Sequence, residues 1–271
     1  MKVVVLEPHG FCAGVTGALK NALSLPEGAY CLHELVHNEL VVAELGRRGV
    51  RFVDDLGEVP EGATVLFSAH GVAPSVRAEA ASRGLNVVDA TCPFVARVHG
   101  AARDFAARGL PVVVIGKASH AEVKGIVGEV EDAGARAYVY PDLPDAGKVG
   151  VVSQTTMNAD DVAATVEELR GRFEVETLAD VCGATRERQR AVKAFAGDAL
   201  LVLGSASSSN TRRLCEVARC RAMRAATMDE VRALDLSGVD TLGVTSGAST
   251  PEDFFAEATR FLKEREGEVE P

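Results

Sequence analysis

The chain has 271 residues, 47% of them apolar, with 29 Lys and Arg against 39 Asp and Glu and a net charge of −10. This size and composition support well-buried cores in one large or two to three small domains, and the acidic balance argues against unassisted binding to nucleic acid or an anionic membrane. No apolar run approaches the roughly 18 residues of a membrane span, and Met1 leads straight into a strand without the flank and cleavage site of a signal peptide, so a cytoplasmic protein is expected.

Residues 2–6 (KVVVL) read as a buried parallel strand, because an uninterrupted β-branched run suits a sheet covered on both faces. GFCAGV opens a helix to about Leu23, and Tyr30–Leu32 is a short strand. HELVHNELVVAELGRRGV reads as a second helix closed by Gly49. ATVLFSAHGV (63–72) is a strand with His70 and Gly71 at its exit, and Pro74 starts a helix over 74–83. NVVD (86–89) leads to Cys92 and a helix over 93–108. Strand PVVVIG (111–116), loop KASHAEV and alternating strand ARAYVY (135–140) follow, then the linker-like PDLPDAGK. VGVVSQTTM (149–157) is a strand with a polar exit, Asn158 caps the next helix, and VETL precedes Cys182. DALLVLGS (198–205), the polar SSSN entry to a helix, DTLGVTSGAS (240–249) and an amphipathic helix from Pro251 complete the chain, with 266–271 expected as a frayed tail.

Strands alternating with helices throughout imply a parallel α/β architecture. The sequence strand, cysteine, helix occurs three times, at Cys12, Cys92 and Cys182. It suggests three similar modules with their cysteine turns facing one centre: 12–91, 92–180, and 181–265 together with 1–11.

A cysteine at a helix N-terminus faces free N–H groups and the positive end of the helix dipole, a setting for a metal ligand. Ligands this far apart are unlike a zinc finger, whose ligands come in close pairs. Three thiolates fit an iron–sulfur cluster with one open coordination position or a catalytic zinc; unrelated core thiols are the remaining reading. Cys31, Cys215 and Cys220 lack the turn setting and are expected as buried thiols. His37 follows a short loop, and His70, His120, Thr155, Ser208, Ser209, Asn210 and Ser249 follow strands. Singly each reads as a cap or turn residue; together, at strand exits and helix N-termini, they suit a phosphate group. Glu122 reads either as a solvated partner of the helix dipole or, beside His120, as a proton donor. His9 and His99 read as structural, and His33 has no strong case.

GFCAGV, HNELVV, SAHGV, DATCPFV, HAEVKG, SQTTM, the Cys182 turn with RQRAV, SSSN and GVTSGAST stand in an order and spacing that resembles the 4-hydroxy-3-methylbut-2-enyl diphosphate reductases, from Lys2 to about Leu262. The resemblance implies a trefoil of three α/β modules with mainly parallel sheets around a central 4Fe-4S cluster, one per chain, held by Cys12, Cys92 and Cys182. The N-terminal strand would join the last module. The implied reaction, last in the non-mevalonate isoprenoid pathway, reductively dehydroxylates (E)-4-hydroxy-3-methylbut-2-enyl diphosphate to isopentenyl and dimethylallyl diphosphates. Its electrons would come from a donor such as ferredoxin or flavodoxin. By motif match the diphosphate is held by His37, His70, His120, Ser208, Ser209, Asn210 and Ser249. Glu122, Thr155 and His120 serve catalysis, with Thr155 also touching substrate.

The chain departs from the family pattern at Ala121, where proline is common, at Ala206 and Ser207, where Asn or Lys is common, and in DVCGAT, where DTICxAT is usual. The departure at Ala206 and Ser207 leaves the register of Ser207 to Ser209 open by one residue. A non-catalytic iron–sulfur carrier or redox sensor is the alternative from another class, but it has no use for the His, Ser and Asn residues at the strand exits. A zinc-dependent hydrolase of a phosphorylated substrate is the third.

Overall fold

A computed structural model describes residues 1–179 and 181–265, so the tail expected to fray, 266–271, lies outside the described residues. β1 (Lys2–Val5) is followed by α1 (Ala13–Leu23), β2 (Tyr30–Leu32), α2 (Glu39–Arg47), β3 (Arg51–Val53), β4 (Thr64–Phe67), α3 (Pro74–Ser82) and β5 (Asn86–Asp89). Then come α4 (Pro93–Ala107), β6 (Val112–Ile115), α5 (Ala121–Asp132), β7 (Ala137–Val139), β8 (Lys148–Ser153), α6 (Ala159–Arg170) and β9 (Glu174–Leu178). The last stretch is α7 (Gly183–Ala194), β10 (Ala199–Leu203), α8 (Ser209–Glu216), β11 (Arg221–Ala225), α9 (Met228–Arg232), β12 (Thr241–Ser246) and α10 (Glu252–Glu264).

The strands form three four-stranded sheets, ordered β3-β2-β4-β5, β7-β6-β8-β9 and β11-β10-β12-β1, and every pairing is parallel. β1 enters the third sheet by pairing Lys2 with Thr241 through Val5 with Val244. The same order of outer, second, third and cysteine-preceding strand recurs in each sheet. The inner strands β6 (VVVI) and β10 (ALLVL) are buried along their whole length, as strands covered on both faces must be. Their side chains alternate between two cores. Leu201 and Leu203 pack with Phe254, Phe255 and Leu262 of α10, while Leu200 and Val202 pack with Val192 of α7 and Leu214 of α8. In the second sheet Val112 and Val114 meet Val123 and Ile126 of α5, and Val113 and Ile115 meet Val162, Val166 and Leu169 of α6.

The chain divides into two compact units. One comprises Met1–Cys12, His37–Val41 and the chain from Gly183 on; the other comprises Ala13–Val36 and Val42–Cys182. The second therefore holds the first two sheets, and the first holds the third sheet.

Several element boundaries differ from the sequence expectation. The helix expected from His33 begins at Glu39, because His33 takes a left-handed conformation (φ 61°) and the Asn38 side chain accepts from the N–H groups of Leu40 and Val41. The strand expected over 63–72 stops at Phe67, and the strand over 149–157 stops at Ser153, which leaves SAHGV and QTTM as loops. The edge strands β3 and β11 and the short α9 were not anticipated: Arg51, Arg221 and Arg224 break the apolar pattern, yet these edges face partly outward and tolerate charge.

Candidate active site

Equivalent strands present polar groups at equivalent positions. Five residues past the last residue of β2, β6 and β10 come His37, His120 and Ser208. His120 and Ser208 are helix N-caps: the ring Nδ1 of His120 accepts from Glu122 N–H (3.2 Å), and Ser208 Oγ accepts from Thr211 N–H (3.3 Å). Beside His37, Asn38 does the same for α2. Each of these loops therefore ends at an ordered helix N-terminus, where spare N–H groups and the dipole favour an anion.

The cysteine turns repeat as closely. Two residues past the end of β4, β8 and β12, the carbonyls of Ala69, Thr155 and Ala248 accept from the N–H groups of Cys92 (3.0 Å), Cys182 (3.1 Å) and Cys12 (3.1 Å). Each of the three cysteines immediately precedes a helix and is partly exposed. Each of these settings, taken singly, suits a thiolate ligand at a helix N-terminus. Cys31 does not fit: it lies inside β2, and burial pushes its thiol up to about 12. Cys215 and Cys220 are half-buried where full burial was expected, and burial raises both thiols.

In the unit holding the first two sheets, the carboxyl of Glu122 is 1% exposed, not solvated at the helix start. Its Oε1 accepts from Thr155 N–H (2.7 Å), and Thr155 Oγ1 donates to Oε2 (3.1 Å). Burial pushes the carboxyl up to about 7, against the two Thr155 hydrogen bonds that lower it. His70 and His120 meet edge to face with ring centroids 5.5 Å apart, and Ser68 Oγ lies 3.2 Å from His70 Nδ1. Because His120 Nδ1 accepts from a backbone N–H, the neutral ring carries its proton on Nε2. Gln154, which the sequence reading passed over, braces this region: its Oε1 accepts from Lys117 N–H (3.1 Å).

In the unit holding the third sheet, Ser249 Oγ donates to the His37 carbonyl (3.2 Å). Asn210 uses both ends of its amide: Oδ1 accepts from Ala248 N–H (3.1 Å), and Nδ2 donates to Thr185 Oγ1 (3.2 Å). Asn210 thus steadies the loop whose carbonyl holds Cys12. Ser208, Ser209 and Asn210 are buried, whereas Ser207 is exposed and bonded to Ser205 (2.7 Å), which in turn donates to Glu39 Oε1 (2.6 Å). Arg188 and Ser246 were also missed. The buried guanidinium of Arg188 donates to the Gly10 carbonyl (2.8 Å), and Ser246 Oγ accepts from Gly10 N–H (2.8 Å). Arg188 falls in RQRAV and Ser246 at a strand end, but their partners lie 178 and 236 residues away in sequence.

A family model described as LytB protein matches residues 3–263. The chain belongs to this family. It is 40% identical to a 4-hydroxy-3-methylbut-2-enyl diphosphate reductase of Magnetococcus marinus, over 100% of this chain and 94% of that protein. It is 45% identical to the reductase of the same name from Nocardia farcinica, over 93% of this chain and 80% of that one. Among solved structures, the E-1-hydroxy-2-methyl-but-2-enyl-4-diphosphate reductase of Plasmodium falciparum superposes with a TM-score of 0.89 at 30% identity, covering 97% of this chain and 88% of that one. A second structure, of an (E)-4-hydroxy-3-methyl-but-2-enyl diphosphate reductase titled as the terminal enzyme of the non-mevalonate pathway, gives 0.71 at 31% identity, covering 97% and 100%. No helix among the described residues of this LytB family member is long and apolar enough to cross a membrane.

Proposed function

We propose that this LytB family member is a cytoplasmic 4-hydroxy-3-methylbut-2-enyl diphosphate reductase. It adds two electrons and two protons to the allylic diphosphate and releases water with isopentenyl or dimethylallyl diphosphate. The observation that carries this reading is the buried Glu122–Thr155 pair, because a redox carrier or sensor needs no proton donor poised near neutral pH. Cys12, Cys92 and Cys182 would hold a 4Fe-4S cluster, which when bound supplies the electrons and a Lewis-acidic iron for the leaving oxygen. Electrons reach it from a low-potential donor such as ferredoxin or flavodoxin.

The remaining work falls to side chains. His37, His70, His120, Ser208, Ser209, Asn210 and Ser249 hold the diphosphate, with the N-termini of α2, α5 and α8 supplying positive potential that the net charge of −10 does not. His120 donates from Nε2, the nitrogen its capping bond leaves protonated. Glu122 is the proton source. Near pH 7 a large fraction of it is protonated. In that form the hydrogen bond to Thr155 reverses, the carboxyl O–H donating to Thr155 Oγ1, so that the freed threonine proton can move to the departing hydroxyl as the carboxyl proton replaces it.

The test is an anaerobic assay of purified, cluster-reconstituted protein with the allylic diphosphate and a low-potential reductant. Formation of both C5 diphosphates is expected; a brown protein that turns over none of the substrate would leave the carrier reading in its place.

A further inference from the structure

Helix α5 presents Glu122 at its first turn and buries a second carboxylate, Glu129, seven residues later on the same face. The Glu129 side chain is 2% exposed. Its Oε1 accepts from Arg77 Nη1 (3.3 Å) and lies 3.3 Å from His99 Nδ1, and its Oε2 accepts from Arg103 Nη1 (3.1 Å). Arg77, on α3, does more than neutralise it. Nη1 also donates to the carbonyl of Val72, two residues past His70 (3.2 Å), and Nη2 donates to Asp89 Oδ2 (3.5 Å). Asp89 Oδ1 in turn accepts from the backbone N–H (2.9 Å) and hydroxyl of Thr91, the residue before Cys92.

Small residues let these parts approach. A Cβ on Gly128 of α5 would lie 2.3 Å from Ala73 Cβ at the start of α3, and one on Gly125 would lie 2.7 Å from the His99 ring. The His99 ring also borders Gly71, where a Cβ would come within 3.0 Å. Burial lowers the basicity of His99, with Glu129 opposing, so the ring is a neutral wedge between the His70 loop and α5. Buried ionic groups lose much of their hydration, and an apolar cluster of the same volume is often as stable, so what this arrangement secures is geometry.

We infer that Arg77 is a positioning residue: one guanidinium fork ties the His70 loop and the Cys92 turn to the helix that presents Glu122. The inference rests on the proposed reductase reading for its kinetic consequence, though not for its structural one. Arg103 supplies the control. It is largely exposed and, among the described contacts, reaches Glu129 alone.

The experiment compares purified full-length wild type, Arg77→Met, Arg77→Lys and Arg103→Met by amide hydrogen exchange and by steady-state kinetics on the reconstituted enzyme. Arg77→Met is expected to speed exchange of the Cys92 and Gly71 amides, which bond to Ala69 and Ser68, by roughly tenfold or more while leaving β6 protected. Arg77→Lys, which keeps the charge but not the fork, moves the same amides less and guards against failure of the methionine variant to fold. In kinetics, Arg77→Met raises KM and lowers kcat together, roughly tenfold or more in kcat/KM, with Arg103→Met near wild type. A residue that only stabilised the fold would lower the amount of active enzyme and leave KM alone. Unchanged exchange at Cys92 and Gly71 in both Arg77 variants, or equal changes in Arg103→Met, overturns the inference. If wild type exchanges as described but reduces no allylic diphosphate, the reductase reading has failed and the positioning role stands.

Discussion

Glu122 shows how little of a residue's environment its neighbours in sequence reveal. HAEV could be read as a solvated helix start or as a proton donor, and only the pairing with Thr155, 33 residues away, decides that the carboxyl is buried. Substituting Glu122→Gln keeps the hydrogen-bonding geometry, since the amide oxygen can still accept from Thr155 N–H and the amide nitrogen can donate to Oγ1. It removes the proton. The variant is expected to retain cluster absorption and substrate binding while losing roughly 10²-fold or more in kcat. On the proposed reading the acid form of Glu122 is the active one, so wild-type kcat is expected to fall as pH rises through about 7. Stability carries the same sign. The folded group, at about 7, holds a proton that the unfolded group, at 4.5, has lost, so its contribution is full below 4.5 and disappears as pH rises to 7. Glu122→Gln should therefore show a smaller fall in urea-unfolding free energy between pH 5 and pH 8 than wild type. The cysteines were more legible, because each carries its context locally, a strand before and a helix after. Replacing Cys92 by Ser is expected to abolish the broad visible absorption of the reconstituted protein, and Cys31→Ser to leave it intact.

At the scale of elements, what a short window contains was readable and what a partner decides was not. The β-branched runs of β6 and β8, the Asn158 cap and the first-turn proline Pro74 all stand where the residues placed them. The helix assigned from His33 failed because apolar periodicity in HELVHNEL outweighed the cap at Asn38, a signal that was present in the sequence. Edge strands β3 and β11 failed for another reason: their outward positions tolerate arginine, which erases the pattern. Close packing was invisible altogether. Gly150, mid-strand in β8, lies under the Phe105 ring, where a Cβ would come within 2.5 Å. Gly150→Ala is accordingly expected to cost about 1–3 kcal/mol, read from the urea midpoint, with KM unchanged.

Across the whole chain the repetition was legible before any coordinates, because three cysteine turns announce three sheets; the equivalence of His37, His120 and Ser208 was not, because their residue types differ while their positions agree. The pairing of β1 with β12 joins the two ends of the chain: Lys2 lies opposite Thr241, and Cys12 is held by Ala248. Ending the chain at Val239 should leave β1 without its neighbour, so limited proteolysis is expected to cut the N-terminal segment early while β6 and β8 resist. The same pairing orders events on the ribosome. At about 5–20 residues per second, β1 waits on the order of tens of seconds for its partner to be translated, with the first two sheets already made. On the proposed reading, Cys12 is the first of the three proposed cluster ligands to leave the exit tunnel and the last to be set in place, so cluster loading would follow synthesis of β12.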